Sequence, residues 1–567
     1  MGENDKRSND AVHWYMNELS SRVVAASRIP SDRFHLGKLL IQSLKDRPDF
    51  VLQIDGATDE SETNGEALER VVKCAMSFRN LGLETGDVIV LMAPSHLDLA
   101  IPFYAALCLG IIIAPVDRTL TVYELQNTFS VDQPKLIFCQ NEKATDIQLA
   151  LNEVNLEAHI VTFDKGDDLS SFYEFLESYG DGSSVEDFRC EDFDPEDAVL
   201  FLISTSGTTG LPKSAAATHK NFAITGPCWG RFTNFPTPSR LVMLGSPLQW
   251  LTAIAHFLFS PILGYTRLQS SEPLTQEHAY HLINTYRPTY TIMSPTLLTT
   301  LIKQGDRNVC DFTCFELIML GGSAVPPELI KEIKKLTPAT EVCDTYGMSE
   351  LTGIGFHADF PPPGSCGKPL GCFQYRVRYM DLILNICHGI LNRLVNIETL
   401  EDVVESNVQG ELWMKGPGIF KEYYRNPEAT IDTFGEDRWF RTGDIFYRDE
   451  NWNFFYVDRF KLLLKYKSHH ISPVEVEGVI RQHPGVMDVA VTGIPDPECG
   501  DLAVACVVAR PGFEITAEDI KDLVKDTLAD SKQLRGGVVF MDAIPMTATT
   551  KVHRRKLKEM VLEMERE

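Results

Sequence analysis

Helical and strand-like apolar spacings alternate along the first two hundred residues, and this alternation restricts the possible folds more than any other feature of the chain. Glu66 to Asn80 carries apolar residues at helical intervals, whereas Val88 to Met92 and Lys135 to Cys139 are strand-like runs. Between them, Leu99 to Val116 runs eighteen residues without a charged side chain. That length approaches a membrane span, but Pro102, Gly110 and Pro115 interrupt it and Asp98 and Asp117 flank it. A buried helix turning into a buried strand is expected instead. The pattern predicts an α/β fold with mostly parallel sheets. A chain of 567 residues exceeds one compact core, so several domains are expected. The acidic, Gly- and Ser-rich stretch from Ser170 to Glu196 reads as a surface loop, and apolar Leu382 to Asn396 as an insertion without an assigned conformation.

The C-terminal part differs in character. Ile471 to Ile480, Met487 to Val491 and Leu502 to Val508 alternate short helix and strand signals, which suits a small α+β domain. With the junction at Asp458-Arg459-Phe460-Lys461, a large N-terminal domain of several subdomains is expected over residues 1–458 and a small one over 459–567. The formal charge of -26, from 53 basic and 79 acidic side chains, argues against nucleic-acid or anionic-membrane partners. Any anionic ligand must be gripped by a local cluster of donors. Thirteen cysteines without a CxxC pair suggest free thiols in a reducing compartment. The polar start Met1 to Asp10 lacks the apolar core of a secretion signal, and the chain ends Glu565-Arg566-Glu567 rather than Ser-Lys-Leu. A cytoplasmic protein without a membrane span is expected; oligomeric state leaves no trace in the sequence.

A local donor cluster is present. The apolar run Val199 to Ile203 leads directly into Ser204-Thr205-Ser206-Gly207-Thr208-Thr209-Gly210-Leu211-Pro212-Lys213. The glycines permit tight turns in which several N–H groups converge on phosphate oxygens. Five hydroxyls add uncharged donors and Lys213 a charged one. A Walker A loop needs Gly directly before its Lys, where this chain has Pro212.

This string resembles the signature loop of the adenylate-forming superfamily, which includes acyl- and aryl-CoA synthetases of the 4-coumarate-CoA-ligase type, peptide-synthetase adenylation domains and beetle luciferases. Further motifs follow in the family's order. Gly321-Gly322-Ser323-Ala324 is similar to the adenine-side loop and Tyr346-Gly347-Met348-Ser349-Glu350 to the Tyr-Gly-x-Thr/Ser-Glu motif. Gly410-Glu411-Leu412 through Gly416, then Tyr423-Tyr424, resembles the next block, and Trp439 to Asp444 the ribose motif. Asp458-Arg459-Phe460-Lys461 looks like the hinge, and Pro545 to Leu557 like the C-terminal lysine block. Together they run from about residue 200 to the end of the chain.

The resemblance implies an enzyme that activates a fatty or aryl carboxylic acid with ATP and Mg²⁺ and then transfers the acyl group to CoA, an acid–thiol ligase with a mobile C-terminal domain. It implies that Thr205, Ser206, Gly207, Thr208, Thr209, Gly210 and Lys213 hold the triphosphate, and that Glu350, with Thr208, serves Mg²⁺, a hard cation suited to a carboxylate plus phosphate oxygens. Gly322, Ser323, Ala324, Tyr346, Gly347, Met348 and Ser349 would flank the nucleotide, Tyr346 stacking on adenine. Asp444 would accept the ribose hydroxyls, and Arg459 would touch the ribose. Trp250, Gly322 and Gly347 would line the acid pocket. Lys551 would bridge the carboxylate and the α-phosphate, Lys461 would be the hinge, and Lys465 would serve thioester formation. Two acid-free basic runs, Arg459 to His470 and Lys551 to Lys558, frame the small domain and are expected to be positive islands suited to ATP and CoA phosphates.

Three family glycines are replaced, by Ser214, Ser468 and Thr550. A β-branched residue forced to positive φ at 550 would cost roughly 1–2 kcal/mol. Two alternatives therefore stand beside the ligase reading. One is a luciferase-type or stand-alone adenylating enzyme without CoA transfer; the other is a nucleotide- or acyl-binding relative with weakened catalysis.

Overall fold

The structure is a computed structural model that describes residue 12 and residues 15–25, 34–165, 169–180, 182, 184–205, 213–230, 240–303, 309–322, 325–357, 361–369, 391–396, 402–435, 438–459, 464–466, 469–471, 473–496, 500–528, 530–547 and 552–566. Among these, the N-terminal part forms two seven-stranded sheets. The first runs in the order Glu422–Tyr423, Lys213–Thr218, Val199–Thr205, Ile112–Pro115, Val88–Met92, Leu136–Cys139, His159–Thr162. It is parallel from Val199–Thr205 to His159–Thr162, with the other two strands antiparallel. The second runs Glu341–Thr345, Leu317–Gly321, Tyr290–Met293, Leu241–Leu244, Thr266–Gln269, Val51–Asp55, Glu60–Thr63, parallel except for its last pair.

Continuous apolar runs become strands buried on both faces, because helices cover both sides of a parallel sheet. Val88–Met92 and Leu136–Cys139 are buried at every position. The charge-free segment resolves into the wholly buried helix Ala100–Leu109 followed by the strand Ile112–Pro115. Side chains from this helix and from both sheets join one continuous core, to which each buried Leu, Ile or Val contributes roughly 1.5–3 kcal/mol. No helix of the described residues is long and apolar enough to cross a membrane.

A four-stranded antiparallel sheet follows: Leu391–Val395, Gly410–Lys415, Phe440–Arg448, Phe454–Arg459. The small C-terminal domain has its own five-stranded sheet, in which Gly500–Ala509 pairs with Val486–Asp496, Leu464–Tyr466 and Gly537–Phe540. Helices Pro473–Ile480, Ala517–Thr527 and Arg554–Glu563 pack on it around separate apolar clusters.

Two expectations need correction. The stretch read as a loop from Ser170 to Glu196 contains the helix Phe172–Tyr179. Ser171 and Glu174 form its capping box, and Phe172, Phe175 and Leu176 are buried. The end of the supposed insertion is the strand Leu391–Val395, held by backbone pairing to Gly410–Lys415. Residues 382–390 lie outside the described residues.

Candidate active site

The hydroxyl-rich string joins two antiparallel strands. Thr205 pairs with Lys213 and Ser204 with Ser214 across Val199–Thr205 and Lys213–Thr218. The Thr205 hydroxyl donates to the Lys213 carbonyl at 3.1 Å, closing the base of the turn. Ser206, Gly207, Thr208, Thr209 and Gly210 lie outside the described residues. The Lys213 ammonium lies 5.0 Å from the centroid of the Tyr423 ring. This is a cation–π contact worth about 0.5–2 kcal/mol. Among the described residues Lys213 has no carboxylate within ion-pair distance.

The turn after the strand Glu341–Thr345 supplies the opposite charge. Tyr346, Gly347, Met348, Ser349 and Glu350 lead into the short helical turn Ser349–Leu351, which packs against both strands of the hairpin. The Glu350 side chain is buried, at 6% exposure, and its Oε1 accepts a 2.7 Å hydrogen bond from the Tyr423 hydroxyl. Tyr423 sits opposite Ala215 on the antiparallel strand Glu422–Tyr423. Its ring thus lies beneath Lys213 while its hydroxyl reaches Glu350. Gly347 is required by close approach, since a Cβ there would come 2.6 Å from the Gly353 carbonyl oxygen.

At the other end of the same turn, the Tyr346 hydroxyl donates to Asp444 Oδ2 at 2.6 Å. Asp444 is 3% exposed and lies in the strand Phe440–Arg448, where its N–H donates to Thr442 Oγ1 at 3.1 Å. The backbone of Arg459 is directly across from it in register. Two residues before Tyr346, burial pushes the Asp344 carboxyl up to about 7 against a backbone hydrogen bond from Thr345 that lowers it.

Gly322 follows the neighbouring strand Leu317–Gly321 at φ 88°, a left-handed position that glycine adopts without strain. Its partners Ser323 and Ala324 lie outside the described residues. Trp250 precedes the helix Leu251–Leu263 and is half-buried. The strand Leu241–Leu244, which leads toward Trp250, and the strands before Gly322 and Tyr346 are parallel members of one sheet. Their following segments therefore leave from one edge, where open α/β sheets bind ligands.

In the C-terminal domain Lys465 pairs by backbone with His470 in the hairpin of Leu464–Tyr466 and His469–Ile471. Lys461, Ser468, Thr550 and Lys551 lie outside the described residues. One expectation about the second basic run needs amendment, because Arg554 is not available to phosphates. It makes a 2.9 Å ion pair with buried Glu477 and donates to the Val491 carbonyl at 2.6 Å.

Sequence reasoning missed the part played by Tyr423, whose signal was confined to its place in a motif block. Ser214 stands where the family has one of the three replaced glycines. This residue is absent from the positive-φ positions and sits in an extended strand, so replacing the family glycine causes no backbone strain there. Among the described residues no group of three or more His, Cys, Asp or Glu side chains forms a ready-made metal cage.

Comparison with known proteins gives a consistent picture. Residues 41–424 match the model of the AMP-binding enzyme family, and residues 475–551 match that of the AMP-binding enzyme C-terminal domain. The chain is 30% identical over 518 residues to luciferin 4-monooxygenase of Photuris pensylvanica, covering 89% of this chain and 90% of that protein. It is 28% identical over 536 residues to a probable CoA ligase of Humulus lupulus, covering 93% and 91%. The solved structure of ATP-bound MatB from Rhodopseudomonas palustris superposes with a TM-score of 0.80 at 22% identity, covering 93% of this chain and 99% of that one. This last likeness concerns the fold.

Proposed function

The chain belongs to the AMP-binding enzyme family of adenylate-forming proteins, and on that premise we propose that it converts a fatty or aryl carboxylic acid to its acyl-adenylate with ATP and Mg²⁺, then passes the acyl group to CoA. The observation that carries this reading is the single turn Tyr346–Glu350. It reaches Asp444 at one end and, through Tyr423, the phosphate-loop lysine at the other. In this reading the ribose side and the phosphate side of the nucleotide meet opposite ends of that turn.

In this reading an oxygen of the substrate carboxylate attacks the α-phosphorus, the bond to the bridging oxygen breaks, and pyrophosphate leaves. The CoA sulfur, as thiolate, then attacks the acyl carbon and AMP departs. The hairpin turn with Thr205, Ser206, Gly207, Thr208, Thr209, Gly210 and Lys213 holds the β- and γ-phosphates. Tyr346 orients Asp444 toward the ribose, with Arg459 alongside, and Trp250, Gly322 and Gly347 border the acid. A buried carboxylate is a hard oxygen donor that fits Mg²⁺, so Glu350 would hold the ion with the phosphate oxygens and Thr208. When bound, the ion neutralises charge on the triphosphate. The domain over 459–567 pivots at Lys461 to bring up Lys551 for adenylation and Lys465 for the thioester step.

The test is pyrophosphate exchange into ATP across medium- and long-chain fatty acids and cinnamate-like acids, with CoA thioester measured in parallel. Exchange and thioester with a shared acid are expected. The Photuris relative favours a second reading, adenylation without transfer to CoA, and exchange without thioester would establish it. Nucleotide binding with neither activity would overturn both. Tyr423→Phe keeps the ring beneath Lys213 but deletes the donor to Glu350. A hydrogen bond to a charged group is worth about 1.5–3 kcal/mol, so the exchange rate should fall at least about tenfold. An unchanged rate at limiting Mg²⁺ would remove Tyr423 from the site.

A further inference from the structure

The strand that leaves the phosphate loop alternates its side chains between two faces. Lys213 and Ala215 share the face on which Tyr423 lies opposite Ala215. Ser214 and Ala216 take the other. Ala216 packs in a cluster with Leu125 and Phe129 of the helix Val122–Asp132. Ser214 meets the last residue of that helix, and its hydroxyl donates to Asp132 Oδ1 at 2.7 Å. Asp132 is 3% exposed and Ser214 9%, so this bond is buried. The Ser214 carbonyl also accepts the Tyr424 N–H at 2.8 Å. The residue next to Lys213 is therefore fastened by its side chain on one side and by its backbone on the other.

We propose that Asp132 is a positioning residue for ATP: through Ser214 it fixes the twist of the strand end that presents Lys213 to the phosphates. This rests on reading the turn 206–212 as the triphosphate loop. A hydrogen bond between a serine hydroxyl and a buried carboxyl holds a strand end far better than a glycine would, since glycine has no side chain to anchor. The groups facing Asp132 are the Ser214 hydroxyl from its strand and the Arg425 guanidinium, which lies 3.5 Å from the Val131 carbonyl. Burial pushes the Asp132 carboxyl up to about 7, while the Ser214 hydrogen bond and the Arg425 charge act in the opposite direction. Above neutrality the ionised carboxylate accepts the Ser214 proton in a charge-assisted bond, the stronger kind. Below it the neutral acid holds Ser214 more loosely. The grip on ATP should therefore tighten as pH rises from 6 to 8.

The experiment measures binding of a non-hydrolysable ATP analogue and the KM for ATP in exchange, at pH 6, 7 and 8, for the full chain and three variants. Asp132→Ala should weaken analogue binding and raise KM at least about fivefold at pH 8, with kcat at saturating ATP within about twofold. Asp132→Asn retains an acceptor for Ser214 without a titrating charge. It should stay near the wild-type affinity at pH 6 and lack the wild-type gain toward pH 8; comparing the two also cancels the titration of ATP itself. Ser214→Gly should behave as Asp132→Ala does. Alanine and asparagine variants with the same affinity and pH profile as wild type would overturn the proposal while leaving the phosphate-loop reading intact. A wild-type protein that binds no ATP analogue would overturn both.

Discussion

Glu350→Gln is expected to slow adenylate formation at least about a hundredfold, the scale seen when one preorganised charge-stabilising group is removed. The substitution is nearly isosteric, and the glutamine carbonyl can still accept the Tyr423 hydroxyl that now bonds Glu350 Oε1 at 2.7 Å. The turn Ser349–Leu351 should also keep its place, because the Phe420 N–H donates to the Glu350 backbone carbonyl at 2.8 Å. What disappears is the carboxylate charge in a buried position, bonded to the hydroxyl of the tyrosine whose ring centroid lies 5.0 Å from the Lys213 ammonium. An uncharged amide is a poor ligand for Mg²⁺ beside phosphate oxygens. The loss should therefore be partly recovered at high Mg²⁺, a response that misfolding would not show. The measurement is exchange against Mg²⁺ concentration, with the thermal transition recorded for each protein. Wild-type exchange with the wild-type Mg²⁺ dependence would mean that Glu350 faces protein only.

The parts of this site that lie next to one another in the chain were legible from sequence, and those created by pairing across the fold were not. Val199 to Ile203 announces a buried strand, because a continuous apolar run depends on local composition. The helix Phe172–Tyr179 was hidden by the acidic and serine-rich residues around it. Its local signals were the short apolar spacing Phe172, Phe175, Leu176 and the Ser171–Glu174 capping box, both easily overlooked in eight residues. Leu391–Val395 becomes a strand only because Gly410–Lys415 offers it an open backbone edge. Tyr423 acquires its role from the register that sets it opposite Ala215, and Asp132 from a contact with Ser214, 82 residues away. Periodicity carries no information about such registers. The replaced glycine at 214 shows the consequence: in sequence it is only a departure from the family, whereas in the fold its hydroxyl has a buried acceptor.

The second large effect is expected at Lys551. Charge builds on the oxygens around the α-phosphorus as the carboxylate attacks, and a single ammonium brought to that point contributes on the scale of 10²–10³ in rate. Lys551→Ala should therefore reduce exchange by about that factor while leaving binding of an ATP analogue within about twofold. The segment flanking it is well anchored. Met546 and Val552 form a β-bridge, the His553 N–H donates to the Pro545 carbonyl at 2.7 Å, and Arg554 is tied to buried Glu477 at 2.9 Å. With the described residues on either side held in this way, the alanine variant should lose the ammonium without losing the fold of the C-terminal domain. Lys465→Ala supplies the contrast, since exchange should persist and thioester formation should fall. If one domain presents the two lysines in alternation, the two variants fail at different half-reactions, and acyl-adenylate accumulates only in the Lys465 variant. Thr550→Gly tests the neighbouring departure from the family, and a faster exchange is expected if the threonine strains the approach of Lys551. Full exchange in Lys551→Ala would show that another cation neutralises the α-phosphate, and the division of work between the two basic runs would have to be abandoned.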